Sequence, residues 1–300
     1  MPVWLRAHAS SCNGDTNMTG FGYSVESSPF ITWGTTNYDI DEVDYRLSSP
    51  GTYVVHFKAW SKSGECPTVD SNVTVTGPTT SSNTNADADG DWKWVFDTGT
   101  KGSASGSMNY PVASPSQDSQ SRQFNMTYTN GGGMRGSTSF GVDINANHFI
   151  YDTYIYLPNP GNVQNIEMDT NQVYDSSYDV IILGLQCAAG SKTWEYTTID
   201  STGSHWTPSG QACNPQTWQA NVWHHVQLIT HRSGGTAYYD SVILDGKKVD
   251  LNVSGSSHFL PSPHWTPLGN LVLNFQLDGA GSSGSITAYT DGMTMIWWQQ

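Results

Sequence analysis

Hydrophobic and polar residues alternate with period two through most of this chain, and no stretch sustains the 3.6-residue period of an amphipathic helix. In the first 77 residues, runs such as 52–59 (TYVVHFKA) and 72–76 (NVTVT) are bounded by Gly and Pro turns, which predicts a small β-sandwich. The segment 78–90 (PTTSSNTNADADG) has no large apolar side chain to offset the entropy of ordering, and is expected to be a linker. From residue 91 to 300 the strands are longer and richer in aromatics, the clearest being 148–157, 163–173, 178–187, 223–232, 237–244 and 271–278. Asp245-Gly246, between VIL and KKVDL, is a two-residue hairpin signal. The expected fold is all-β, a small sandwich followed by a large antiparallel jelly roll.

The alternation also sorts side chains by face. Along 163–173, Ile166, Met168 and Thr170 share one face, and Asn165, Glu167, Asp169 and Asn171 share the other. Along 271–278, Leu271, Leu273, Phe275 and Leu277 oppose Asn274, Gln276 and Asp278. A sheet solvated on one side alternates in the same way for no functional reason. Ordinary solvated strands, however, favour Thr, Lys, Glu and Ser, whereas Asn, Asp and Gln are depleted in strands. Paired ladders of planar amides and carboxylates are what bidentate contacts to hydroxyl groups require.

Composition narrows the partner. Lys and Arg total 12 against 26 Asp and Glu, a net charge of −14. No basic stripe exists to release phosphate counterions, so nucleic acid is excluded, and anionic membranes and polysaccharides are disfavoured. A neutral ligand fits best. No apolar run is long enough to span a membrane. Met1-Pro2-Val3 runs straight into strand-like sequence without a leader pattern, so secretion is expected on other grounds. Those grounds are the cysteines, expected to pair as Cys12 with Cys66 and Cys187 with Cys213, two intradomain disulfides of an oxidising compartment. Neither pair has zinc-site spacing, and the adjacent His224 and His225 must point to opposite faces, so no metal centre is expected. Asp87, Asp89 and Asp91 match part of a calcium-loop spacing, with the ligand set incomplete, so the one cofactor left open is structural calcium. No GxSxG elbow is present. Oligomeric state is not legible.

Trp223-His224-His225-Val226, followed by Tyr238-Tyr239 and Leu244-Asp245-Gly246, resembles the concanavalin A-like lectin and glucanase superfamily over roughly the last 210 residues. The preceding module resembles the immunoglobulin-like or PKD-like domains of bacterial secreted enzymes. The resemblance implies a concave sheet that holds a glycan, in a lectin or in a glycoside hydrolase. Asn165-Ile166-Glu167-Met168-Asp169-Thr170-Asn171-Gln172 resembles the E-x-D-x-E or E-x-D-x-x-E strand of laminarinase-like and cellobiohydrolase-like hydrolases. That likeness implies Glu167 as nucleophile and Asp169 as the residue tuning its protonation. The acid/base position holds Asn171 in a regular strand and Gln172 in a bulged one, and neither can donate and recover a proton. Asp278 and Glu195 are the candidates for a substitute acid.

Sugar rings also stack on aromatic platforms, and the chain has 12 Trp and 15 Tyr. Trp194 and Trp206 are the favoured platforms, since they lie within the Gly/Ser/Thr-rich segment between Cys187 and Cys213. Three readings follow: a polysaccharide-binding protein whose cleft is lined by Asn165, Glu167, Asp169, Asn171, Gln172, Asn274, Gln276 and Asp278; an endo-acting hydrolase using Glu167; or a surface spacer.

Overall fold

The computed structural model describes residues 2–5, 11, 14–34, 43–46, 50–177, 179–259 and 267–300. The chain divides into two compact units, Met1–Thr80 and Ser81–Gln300. In the first, Met18–Val25 pairs with Ile31–Gly34 and with Gly51–Ser61, which in turn pairs with Val69–Val75. Tyr23, Val25, Val55 and Val75 form a small core on one side of that sheet. Cys12 lies outside the described residues.

The second unit begins earlier than residue 91. Ser81–Asn83 pairs with Met295–Trp297, and Ala86 is fully buried. The Asp87 carboxylate accepts hydrogen bonds from the Thr290 hydroxyl and, at 2.7 Å, from the backbone N–H of Met293. The expected linker is thus built into the unit from residue 81, and its ordering is offset by contacts to residues more than 200 positions away. Asp89 accepts from the Asp91 backbone N–H at 3.1 Å, so it serves its own segment while Asp87 serves the long-range contacts.

This unit is an all-β jelly-roll sandwich of two antiparallel sheets. The floor sheet runs in the order Gly203–Ala212, Thr193–Asp200, Val180–Ala188, Val163–Val173, Asn270–Gly279, Gly133–Val142, Lys93–Asp97, with His258–Phe259 beside Val180–Ala188. The back sheet runs Ser103–Val112, Ser121–Thr129, Ser283–Trp298, His148–Tyr156, Trp223–Ser233, Thr236–Leu244, Lys247–Ser256. Between them lies the core. Ile166, Met168, Leu271, Leu273, Phe275 and Leu277 come from the floor, Phe149, Tyr151, Val226 and Leu228 from the back. Each such side chain contributes about 1.5–3 kcal/mol by leaving water, which fixes the register of the strand that carries it.

Strand bounds follow the alternation closely. Val163–Val173 is the predicted span, and the turn at Asp245 (φ 50°) and Gly246 (φ 76°) has the two positive φ angles of a tight hairpin. His224 and His225 do point apart: His224 Nδ1 bonds Asp245 at 2.7 Å, and His225 Nε2 bonds Asp152 at 3.0 Å.

Candidate functional site

The period-two pattern leaves the floor sheet with an outer face made of the polar halves of its strands, and register arranges them in rows. The central row runs Arg135, Gln276, Glu167, Gln186, Glu195. On one side of it lie Asp97, Gly133, Asp278 and Asn165. On the other lie Ser137, Asn274, Asp169 and Gly184. Thr197 bonds the Gly184 carbonyl at 3.3 Å, and Trp206 pairs with Thr197. A cleft of about 1080 Å³ opens over these rows, bordered by Asn165, Glu167, Asp169, Asn274, Gln276, Asp278 and Trp206 among others.

Two glycines make room for two carboxylates. A Cβ on Gly133 would stand 2.1 Å from Asp278 Oδ1, and one on Gly184 would stand 2.7 Å from Asp169 Oδ1 and 2.3 Å from Thr197 Oγ1. Each acid therefore leans over a neighbour with no side chain. Gly133→Ala should lose about 1–3 kcal/mol, by the cost of overpacking, and push Asp278 toward solvent. Its carboxyl resonance should then titrate well below the wild-type value; an unchanged titration would mean that Asp278 does not rest on Gly133.

Amides hold the carboxylates in place. Asp278 accepts from Asn165 Nδ2 at 2.9 Å and from Gln276 Nε2 at 3.1 Å. Gln276 Nε2 also lies 3.1 Å from Asp97 Oδ2, and Asn274 Nδ2 donates to Asp169 Oδ2 at 3.0 Å. Burial pushes the Asp278 carboxyl up to about 6 against these amide bonds. Burial also raises Glu167 and Asp169, and Glu167, facing the charges of Asp169 and Asp278, is pushed well above the usual carboxylate range. Glu167 keeps the proton and shares it with Asp169, whose charge is also favoured by Asn274 and by nearby Arg135.

Three residues expected here stand elsewhere. Trp194 is 1% exposed and packs in the core, because Glu195 and Thr197 take the floor-facing positions of its strand. Gln172 has the core-facing parity of Ile166 and Thr170. Its amide donates to the carbonyls of Asp143 at 2.7 Å and Ala146 at 3.0 Å, and accepts from Arg232 Nε. Asn171 shares the face of Glu167 but is fully buried between Val272 and Ile182 and does not itself line the cleft. Glu195 is occupied by Gln186, whose Nε2 donates to it, and lies outside the cleft lining.

Asp97, Arg135, Gln186 and the two glycines were missed. A lone Gln in the apolar run VIILGLQCA was a usable signal for Gln186. Gly133 and Gly184 carried none, because the need for a bare position appears only when strands are paired. The Cys187–Cys213 disulfide ties the strand Val180–Ala188 to the end of Gly203–Ala212, the edge strand that carries Trp206. Among the described residues no group of His, Cys, Asp and Glu is arranged to hold a metal ion.

No protein-family model matches this chain, and no curated protein matches its sequence. Solved structures do resemble it. One is a study of carbohydrate-binding modules of the β-sandwich superfamily, 12% identical over 97% of this chain and 96% of that one, with a TM-score of 0.39. Another is a carbohydrate-binding module of Bacillus subtilis, 15% identical over 68% of this chain and 94% of that one, with a TM-score of 0.33. A third is a Bacteroides ovatus mixed-linkage glucan GH16 protein in complex with a product, 11% identical over 72% of this chain and 98% of that one, with a TM-score of 0.36. At these TM-scores none of the three bears on what this chain binds.

Proposed function

We propose that the second unit recognises a neutral polysaccharide along the outer face of its floor sheet. The observation that carries this reading is a set of buried acceptors without donors. Asp169 Oδ1 and Asn274 Oδ1 have no hydrogen-bond partner among the described residues, and both residues border the cleft. Each such group costs about 1–3 kcal/mol when left unmet. Sugar hydroxyls supply donors of the right kind, and they leave the acceptors and amides of the same rows free for a second contact. Trp206 adds an apolar surface beside them: its ring edge comes within 3.3 Å of where a Gly184 Cβ would stand. The Cys187–Cys213 disulfide supports an extracellular setting.

Co-sedimentation and affinity electrophoresis with cellulose, mixed-linkage glucan, laminarin, xylan and mannan test the reading. At least one polymer should be retained, and Trp206→Ala should weaken that retention about tenfold or more, some 1.4 kcal/mol. Retention of none of them, by a folded protein, rules the cleft out as a polysaccharide site.

A further inference from the structure

Two carboxyl groups on neighbouring strands face this cleft under opposite hydrogen bonding. Glu167 lies opposite Gln276 and Asn165 lies opposite Asp278, so Glu167 and Asp278 are diagonal neighbours. Diagonal neighbours have Cβ atoms about 7 Å apart. Carboxyls that flank a glycosidic bond in a two-step displacement stand about 5–5.5 Å apart, a separation within reach of two acidic side chains at diagonal positions over one cleft. Both oxygens of Asp278 accept amide N–H bonds, at 2.9 and 3.1 Å, which favour its anion and aim it. Glu167 has a carboxylate, Asp169, as its partner, an arrangement that keeps a proton on Glu167. At neutral pH one acid is thus charged and the other neutral, the division of labour that acid-assisted displacement needs. Glu195, the other substitute acid, is held off from Glu167 by Gln186, which stands between them in register.

From this asymmetry we infer that the cleft cleaves the glycan it binds, with Asp278 as nucleophile and Glu167 as the acid and then the base. The inference rests on the polysaccharide reading of the same cleft. It reverses the role the strand motif alone assigns to Glu167, and it draws the second carboxyl from the adjacent strand instead of from Asn171 or Gln172. In the first step an Asp278 oxygen bonds the anomeric carbon while the glycosidic C–O bond breaks. The electron pair leaves on the departing oxygen, which takes the proton of Glu167. In the second step ionised Glu167 removes a proton from water, whose oxygen bonds the anomeric carbon. The ester bond breaks with its electron pair returning to Asp278, and Glu167 has its proton back. Water is the one co-reactant, and two inversions retain the anomeric configuration. Asp169 is a positioning residue that holds the Glu167 proton by accepting its hydrogen bond. The other charged groups around the cleft are Asp97, Arg135 and Lys101. With Asp278 held up to about 6, kcat/KM should fall below that pH as the nucleophile protonates.

The experiment uses the full chain and three variants: Asp278→Ala, Asp278→Asn and Glu167→Ala. Reducing-end release is measured on whichever polymer is retained, beside retention itself, and thermal unfolding of each variant reports folding. Dinitrophenyl glycosides of cellobiose, xylobiose and mannobiose are then offered with sodium azide. Wild type should release reducing ends with retained configuration, and each variant should lose at least about 100-fold while unfolding as cooperatively as wild type. Azide should revive Asp278→Ala on the activated glycosides and give a glycosyl azide of inverted configuration. From Glu167→Ala it should give the retained azide, because Asp278 still forms the ester. The opposite pairing of variant and product overturns the assignment of roles. Retention without reducing ends from wild type overturns cleavage and leaves the binding reading standing. Retention of no polymer removes the binding reading beneath it.

Discussion

Asp278→Asn should make the protein more stable at pH 7.5 while removing its cleavage activity. The carboxyl is buried and held up to about 6, against an ordinary value of 3.8. A folded-state value above the unfolded one means that the associated stability is fully present below about pH 4 and is lost as pH rises through 6. A displacement of that size corresponds to about 3 kcal/mol. An uncharged amide escapes that loss but forfeits one acceptor for Asn165 or Gln276, about 1 kcal/mol. The net gain at pH 7.5 is roughly 2 kcal/mol, or about 4–8 °C in Tm for a unit of this size. At pH 4 the order should reverse, since the wild-type carboxyl is then neutral and keeps both amide bonds. Thermal unfolding of the two proteins from pH 4 to 8 should therefore give curves that cross. Curves that stay parallel, with wild type above, would show that Asp278 is not held in an unfavourable charged state. Residues that cost stability where they sit are retained for what they do, so a crossing would mark the position as functional.

The second large effect concerns the disulfide. Cys187 and Cys213 are 26 residues apart in sequence, and closing a loop of that length is worth about 3–4 kcal/mol by restricting the unfolded chain. The enclosed strands, Thr193–Asp200 and Gly203–Ala212, form the edge of the floor sheet and carry Thr197 and Trp206 to the cleft. The double variant Cys187→Ala, Cys213→Ala should shift the denaturant midpoint downward by the equivalent of that energy. It should also weaken polymer retention, because Trp206 loses its anchorage. Unchanged midpoint and unchanged retention would mean that the strand ladder alone holds the edge.

Much of the sandwich was legible because burial on one face of a sheet writes itself into the chain as alternation. The floor strands Val163–Val173 and Asn270–Gly279 are clear cases, and the same rule placed Glu167, Asp169, Asn274, Gln276 and Asp278 on one face before any pairing was known. What alternation does not encode is how far along a face the open space extends. Asn171 obeys the parity and is nonetheless covered, and Trp194 looked like a platform because loops and edge strands have similar compositions. The segment from residue 81 to 90 read as a linker for a different reason. Its ordering depends on Asp87 meeting Thr290 and Met293, contacts that no local window contains. Register supplied the rest, since only paired strands reveal that Gly133 and Gly184 are seats for acids.

The strand Ser283–Trp298 lies inside the back sheet, between Ser121–Thr129 and His148–Tyr156, and also receives Ser81–Asn83. During synthesis it is the last of these to leave the ribosome. Until it does, the back sheet has a gap at its middle and the unit's opening segment has nothing to dock on. The unit therefore stays open until that strand has been made, with the floor sheet lacking its lid and Cys187 and Cys213 accessible to an oxidant.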